Sequence, residues 1–258
     1  GTGSPAYDHF GGNRIGQNLF GNCILALDAA TGKRKWHYQV VHHDVWDYDL
    51  PCPPNLVTVV HGGKKIDAVA QVTKMGHLFL LDRLTGKPLF PVEERPVPQS
   101  KLPGEKTWPT QPFPTKPKPY AQQRFTAAEA TTRTAEAKKR VTERLAKMRT
   151  GGIYLPPGLQ ASVALPQFNG GTNWGGAAFD PGTNTLYVNA SNEAACISMV
   201  PSKPRETITL NRLGRRLYRS MCAHCHALPA PGGADATSTT SLRGVKDRLK
   251  KTDLLTLL

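Results

Sequence analysis

Two short stretches concentrate the chemistry of this 258-residue chain. In "MCAHCH", Cys222, Cys225 and His226 form a Cys-x-x-Cys-His run. This is the attachment spacing of a c-type haem, with two thioethers at one porphyrin edge and the next imidazole on the iron. A zinc knuckle or a redox dithiol shares the paired cysteines. Zinc, however, needs about two further ligands, and no Cys or His follows His226. The other stretch, "VVHHDVWDYDLP" (Val40 to Pro51), packs His42, His43, Asp44, Trp46, Asp47, Tyr48 and Asp49 together and ends on a proline. A solvated loop does not need the tryptophan, and a buried strand does not tolerate three unpaired carboxylates.

The elements around these stretches read as hairpins. "ALDAATGKRKW" (Ala26 to Trp36) and "LLDRLTGKPLF" (Leu80 to Phe90) share an apolar-x-Asp-x-x-Thr-Gly-x-x-x-aromatic frame. Each predicts a strand, a tight Asp-to-Gly turn and a returning strand. "AAFDPGTNTLYVNA" (Ala177 to Ala190) is a weaker copy. Paired strands repeating at this interval point to β-propeller blades, with ordinary hairpins as the plainer reading. The fold class is therefore all-β, and 24 Gly and 22 Pro suit a turn-rich chain.

From Glu93 to Tyr120 the prolines predict an extended, irregular segment (the loop 93–120). The following insert, 126–150, reads as one surface helix opened by a Thr126–Glu129 capping box and closed before Gly151. Beyond Pro201 the pattern "LNRLGRRLYRSM" predicts an amphipathic helix leading into the haem motif. The division expected is 1–200 for the blades and 201–258 for an all-α cytochrome c-like domain, truncated at its C-terminus. The chain reads as an internal fragment. Cys23, Cys52 and Cys196 are expected to be free buried thiols, with a Cys23–Cys52 disulfide left open.

Lys and Arg exceed Asp and Glu by 33 to 19, and the excess sits in residues 115–150 and 201–258. No module with exposed aromatics beside those charges is present, so nucleic-acid binding is set aside in favour of a solvated face or docking to an acidic partner.

The stretches Gly1 to Pro51, "DAVAQVTKMGHLFLLDRLTGKPLFPVEERPVP" and "GGTNWGGAAFDPGTNTLYVNA" closely resemble the pyrroloquinoline-quinone (PQQ)-dependent dehydrogenases. The likeness is nearest to the glucose-dehydrogenase branch with an inserted cytochrome c domain. It implies an eight-bladed propeller of four-stranded sheets, with PQQ and a divalent cation, usually Ca²⁺, in the central channel. By that resemblance Asp47 is the catalytic base, Lys74 faces the quinone oxygens, and Asn173 and Trp174 contact PQQ. Cys222, Cys225 and His226 hold haem c. Ser4 replaces an asparagine that in such proteins commonly binds the metal.

The function implied is oxidation of a sugar such as glucose, or of an alcohol, by hydride transfer to PQQ. Electrons would pass through the haem to a cytochrome or quinone acceptor. Covalent haem attachment places the protein in the periplasm, with peripheral membrane association through regions outside this chain. The alternative is a non-catalytic propeller scaffold bearing a cytochrome c domain.

Overall fold

A computed structural model of the chain describes residues 1–201 and Gly214. The expected cytochrome c-like domain, with Cys222, Cys225 and His226, lies outside the described residues.

The repeated Asp-x-x-Thr-Gly frame folds as its turn chemistry dictates. Strand β1 (Cys23–Leu27) and strand β2 (Arg34–Gln39) pair antiparallel across the turn opened by Asp28. Asp28 Oδ1 accepts from the backbone N–H of Ala30 and Thr31 and from the Thr31 hydroxyl, an Asx-type turn. Asp82 repeats the set with Leu84 and Thr85. Gly32 and Gly86 both take the left-handed backbone that closes the turn. The copies differ afterwards. The first returns as a full strand, whereas the second makes only an isolated bridge, Leu81 to Pro88, because proline has no N–H for a ladder.

Strands β3 (Asn55–His61), β4 (Lys64–Val72) and β5 (Leu78–Asp82) form a three-stranded antiparallel meander. The two-residue periodicity of strands divides its side chains between two cores. Ala68, Ala70, Leu78 and Leu80 join Val57, Phe179 and Leu186 on one face. Val69, Phe79 and Leu81 join Ile24, Val40, Trp46, Tyr48 and Tyr154 on the other.

The proline-studded segment is more regular than its composition predicts. Strands β6 (Val92–Pro96) and β7 (Thr110–Pro114) pair antiparallel. This sheet has only two strands, so each has a free edge where a missing donor costs no ladder bond. The insert 126–150 departs the other way. The Thr126–Glu129 capping box forms, but it caps only a 3₁₀ turn, Ala127–Glu129. The helix α1 is Ala135–Leu145, with its own N-cap at Thr134. The run Thr131-Thr132-Arg133-Thr134 separates the two, since β-branched threonines lose side-chain freedom in a helix and favour its caps. None of the α1 residues is buried, as a surface helix requires.

Strand β8 (Ser162–Ala164) pairs with β11 (Ala195–Ile197) around the hairpin of β9 (Ala177–Asp180) and β10 (Thr185–Val188). All these sheets hold two or three strands rather than four. Cys23 and Cys52 are buried free thiols, and Cys23 is pushed up to about 11 chiefly by burial. Cys196 is free but exposed, contrary to expectation.

Candidate active site

Strand β2 delivers the chain directly into Val40–Pro51, and the acid-rich loop is held from within by one of its own aspartates. Asp44 is wholly buried. Its carboxylate accepts from the backbone N–H of Trp46 and Tyr48, each at 2.8 Å, from the Asn22 amide at 2.8 Å, and from the Ser4 hydroxyl. A carboxylate with that many donors is satisfied without a counter-ion. Ser4, which stands at the position expected from the resemblance to bind metal, is in this structure spent on bracing the loop.

Alternating side chains then take opposite directions. Trp46 and Tyr48 enter the core, where their rings stack and hydrogen-bond backbone carbonyls of Leu155, Ile153 and Pro166. Asp47 and Asp49 reach the other way, to Lys74. Asp47 adopts a positive φ of 59°, a conformation aspartate tolerates better than most side chains.

Lys74 sits in the turn between β4 and β5. Thr73 closes that turn, its hydroxyl donating to the His77 carbonyl and accepting the His77 N–H. Gly170 packs against the Lys74 stem so closely that a Cβ there would lie 2.5 Å from it, and the Gly171 N–H donates to the Lys74 carbonyl. Lys74 is only 5% exposed. Its Nζ donates to the Asp47 carbonyl at 2.9 Å and to Asp47 Oδ2 at 3.1 Å. Asp49 Oδ1 stands 2.6 Å away, an ion-pair separation without hydrogen-bond alignment. One ammonium therefore serves two carboxylates.

Burial raises the proton affinity of Asp47 above that of an ordinary aspartate. Lys74 opposes the shift, while Asp49 and Asp44 add to it. A half-buried carboxylate with raised affinity beside a fixed cation is equipped to accept a proton from a bound hydroxyl.

The remaining expected residues lie on the same glycine-rich segment without joining this cluster. The Asn173 amide donates to the Asn169 carbonyl, and its oxygen accepts the Trp174 N–H. Trp174 is 82% exposed, so its indole face is open to a flat partner. For a quinone, Lys74 offers a buried cation and Trp174, apart from it, an open aromatic face. Among the described residues no three His, Cys, Asp or Glu side chains converge on a metal position, so no step here is routed through a metal.

The sequence marks Asp44 and Asp49 only as members of the acid-rich stretch, and it does not mark the braces of the two histidines. Gln111 exchanges two hydrogen bonds with the His42 backbone, and Glu94 meets the His42 ring at 3.0 Å. His43 meets Glu105 at 2.8 Å. These partners lie 52 to 69 positions further along the chain, and no local pattern marks them.

The family model of the PQQ glucose/ethanol/alcohol dehydrogenase β-propeller domain matches residues 1–226. The chain is 36% identical over 206 residues to the quinate/shikimate dehydrogenase (quinone) of Acinetobacter baylyi, covering 79% of this chain and 26% of that protein. It is 35% identical over 198 residues to the quinoprotein glucose dehydrogenase of Escherichia coli, covering 76% and 25%. Among solved structures it is similar to the quinohemoprotein alcohol dehydrogenase of Comamonas testosteroni, at 25% identity and a TM-score of 0.46, covering 75% of this chain and 23% of that one. The chain thus spans about a quarter of the length of these relatives.

Proposed function

The chain belongs to the PQQ-dependent dehydrogenase family, in its β-propeller domain, and from that premise we propose that it supplies the proton-accepting wall of the active site. The whole protein would oxidise the CH–OH group of a sugar, an alcohol or a cyclic polyol acid such as quinate. The observation that carries this reading is Lys74 Nζ held between Asp47 and Asp49, with Asp47 poised above its ordinary proton affinity.

PQQ, when bound, supplies the acceptor for the hydride that leaves the substrate carbon. Asp47 Oδ2 takes the hydroxyl proton, and the product carbonyl forms as the C–H and O–H bonds break. On accepting the proton, Asp47 loses its charge, while its backbone carbonyl still accepts from Lys74 Nζ. The ammonium, then less fully neutralised, would stabilise negative charge developing on the cofactor oxygens, as an oxyanion site would. Asp49 keeps Lys74 in place during that change. Asn173 would bind the cofactor edge and Trp174 would lie against its face.

The same proposal extends to the rest of the protein. Eight blades would close the ring, with a divalent cation beside PQQ. Residues 201–258 would form a cytochrome c domain with haem on Cys222 and Cys225 and His226 on the iron. A cytochrome or quinone would take the electrons, in the periplasm. Support comes from the Cys-x-x-Cys-His spacing.

The test is to purify the full-length protein, add PQQ and Ca²⁺, and follow reduction of a dye with glucose, ethanol and quinate in turn. PQQ-dependent reduction with at least one substrate is expected. A folded protein that neither binds PQQ nor reduces dye with any of the three would favour the non-catalytic scaffold.

A further inference from the structure

The buried pair His43–Glu105 has no part in the chemistry above, yet it is the most enclosed ionisable pair among the described residues. Its side chains are 0% and 1% exposed. Three segments distant in sequence meet there. The N-terminal segment supplies Gly11 and Gly16, the acid-rich loop supplies His43, and the link between β6 and β7 supplies Glu105. His43 Nδ1 lies 2.8 Å from the Gly16 carbonyl, and Nε2 lies 2.8 Å from Glu105 Oε1. Glu105 also accepts the Gly11 N–H on Oε2 and the Lys106 N–H, at 2.9 Å, on Oε1.

The partners fix the proton count. A carbonyl oxygen can only accept, so Nδ1 must carry a hydrogen. Glu105 receives two backbone N–H groups, which a carboxylate accepts without loss and a carboxylic acid does not. Burial alone would raise its proton affinity, but the hydrogen bonds from His43 and Gly11 outweigh burial and hold it below the ordinary glutamate value. Both ring nitrogens of His43 thus face acceptors, a carbonyl oxygen at Nδ1 and a carboxylate oxygen at Nε2.

The surroundings are shaped for this pair. A Cβ on Gly11 would overlap His43 Nε2, so only glycine lets the N-terminal segment lie across the ring. Arg14 is the other cation nearby. It donates to the Asp44 carbonyl at 2.6 Å and feels the charges of Asp44, Glu105 and Asp8. His43 itself has φ of 45°, a left-handed backbone uncommon for non-glycine residues, though histidine takes it more readily than most.

We propose that Glu105 is a positioning residue for the base. Through a doubly protonated His43 it sets the backbone of the loop immediately ahead of Asp44, and so the place of Asp47 beside Lys74. The inference deepens the proposed function and rests on it for its kinetic part. The proton count does not depend on that function.

The experiment is ¹⁵N NMR of histidine-labelled full-length protein, with His43 assigned by its loss in His43→Gln. Two protonated ring nitrogens are expected at neutral pH in the wild type, and one bare nitrogen in Glu105→Gln. In the PQQ-loaded protein, Glu105→Gln should lower kcat about tenfold or more with KM within about twofold, since small displacements of a catalytic group are costly. Glu105→Asp should recover part of the loss. A bare ring nitrogen on His43 in the wild type overturns the proposal even if no variant folds. So does a Glu105→Gln protein with altered His43 signals and unchanged kcat. The NMR readout needs neither cofactor nor turnover. An active Asp47→Asn enzyme would therefore sink the functional reading alone.

Discussion

Asp28, Asp82 and Asp180 lie in exposed hairpin turns, whereas Asp47 lies half-buried beside Lys74, and the same side chain acquires opposite properties in the two places. In the turns, hydrogen bonds from a nearby threonine and from backbone N–H groups hold each carboxyl below the ordinary aspartate value of 3.8. In the loop, burial pushes Asp47 above it, with Lys74 offsetting only part of the shift. A turn aspartate is built to stay charged. Around Asp47, burial favours the neutral form. The difference is made by neighbours: a threonine and backbone N–H groups at each turn, burial and two further carboxylates at Asp47.

Linkage gives the comparison a sign for stability. The turn aspartates, with lowered folded values, stabilise the fold above their unfolded value, and that contribution is lost as pH falls through the folded value. Asp47, with a raised folded value, contributes stability below its unfolded value that is lost as pH rises through the folded one. At neutral pH its ionised form therefore sits at a cost to the fold.

The largest effect expected is on turnover. Asp47→Asn should lower kcat about 10³-fold in the PQQ-loaded protein, the range typical of a general base. Its Tm at neutral pH should stay level or rise, because Asp49 still holds Lys74. A fall in Tm with little change in kcat would make Asp47 a structural aspartate like the others. Next is Lys74→Ala, expected to weaken PQQ binding about tenfold to a hundredfold in a fluorescence titration, with Lys74→Arg intermediate. Equal affinity for all three proteins would remove the lysine from the cofactor site.

A smaller effect is expected where the first two repeats meet. Gly86 has φ of 70°, and a Cβ there would lie 2.6 Å from the Trp36 ring, whose Nε1 donates to the Arg83 carbonyl. Gly86→Ala should cost about 1–3 kcal/mol in denaturant unfolding, from strain and overpacking together. Gly32→Ala, with open space at its Cβ, should cost less. Smallest of all, Asp82→Asn should leave kcat unchanged and lower Tm slightly at neutral pH, an effect that disappears in acid.

The two regions also differ in how far sequence exposes them. The turn motif is legible because its whole hydrogen-bond set lies within a few residues. The capping box is legible for the same reason. Its helix was overextended, because nothing in the alanine-rich pattern weighs against the threonines that break it. Strands β6 and β7 are masked by prolines that matter only in a central strand. Asp47 and Lys74 stand out in sequence only through the resemblance of long motifs, and the structure adds their contact. By contrast, Glu105 is invisible in "LPGEKTWPT", since its partners His43 and Gly11 lie 62 and 94 positions away. Asp44 looks no different from Asp47 until the fold turns one inward.

The most direct test of the account is the pH dependence of kcat/KM in the PQQ-loaded full-length protein, compared with that of Asp82→Asn. The account predicts an acid limb, shared by both proteins, whose apparent pKa lies above the ordinary aspartate value of 3.8 and requires Asp47 in its ionised form. A rate that stays flat down to that value would mean that no carboxyl with raised proton affinity takes part, and would contradict the assignment of Asp47 as the base.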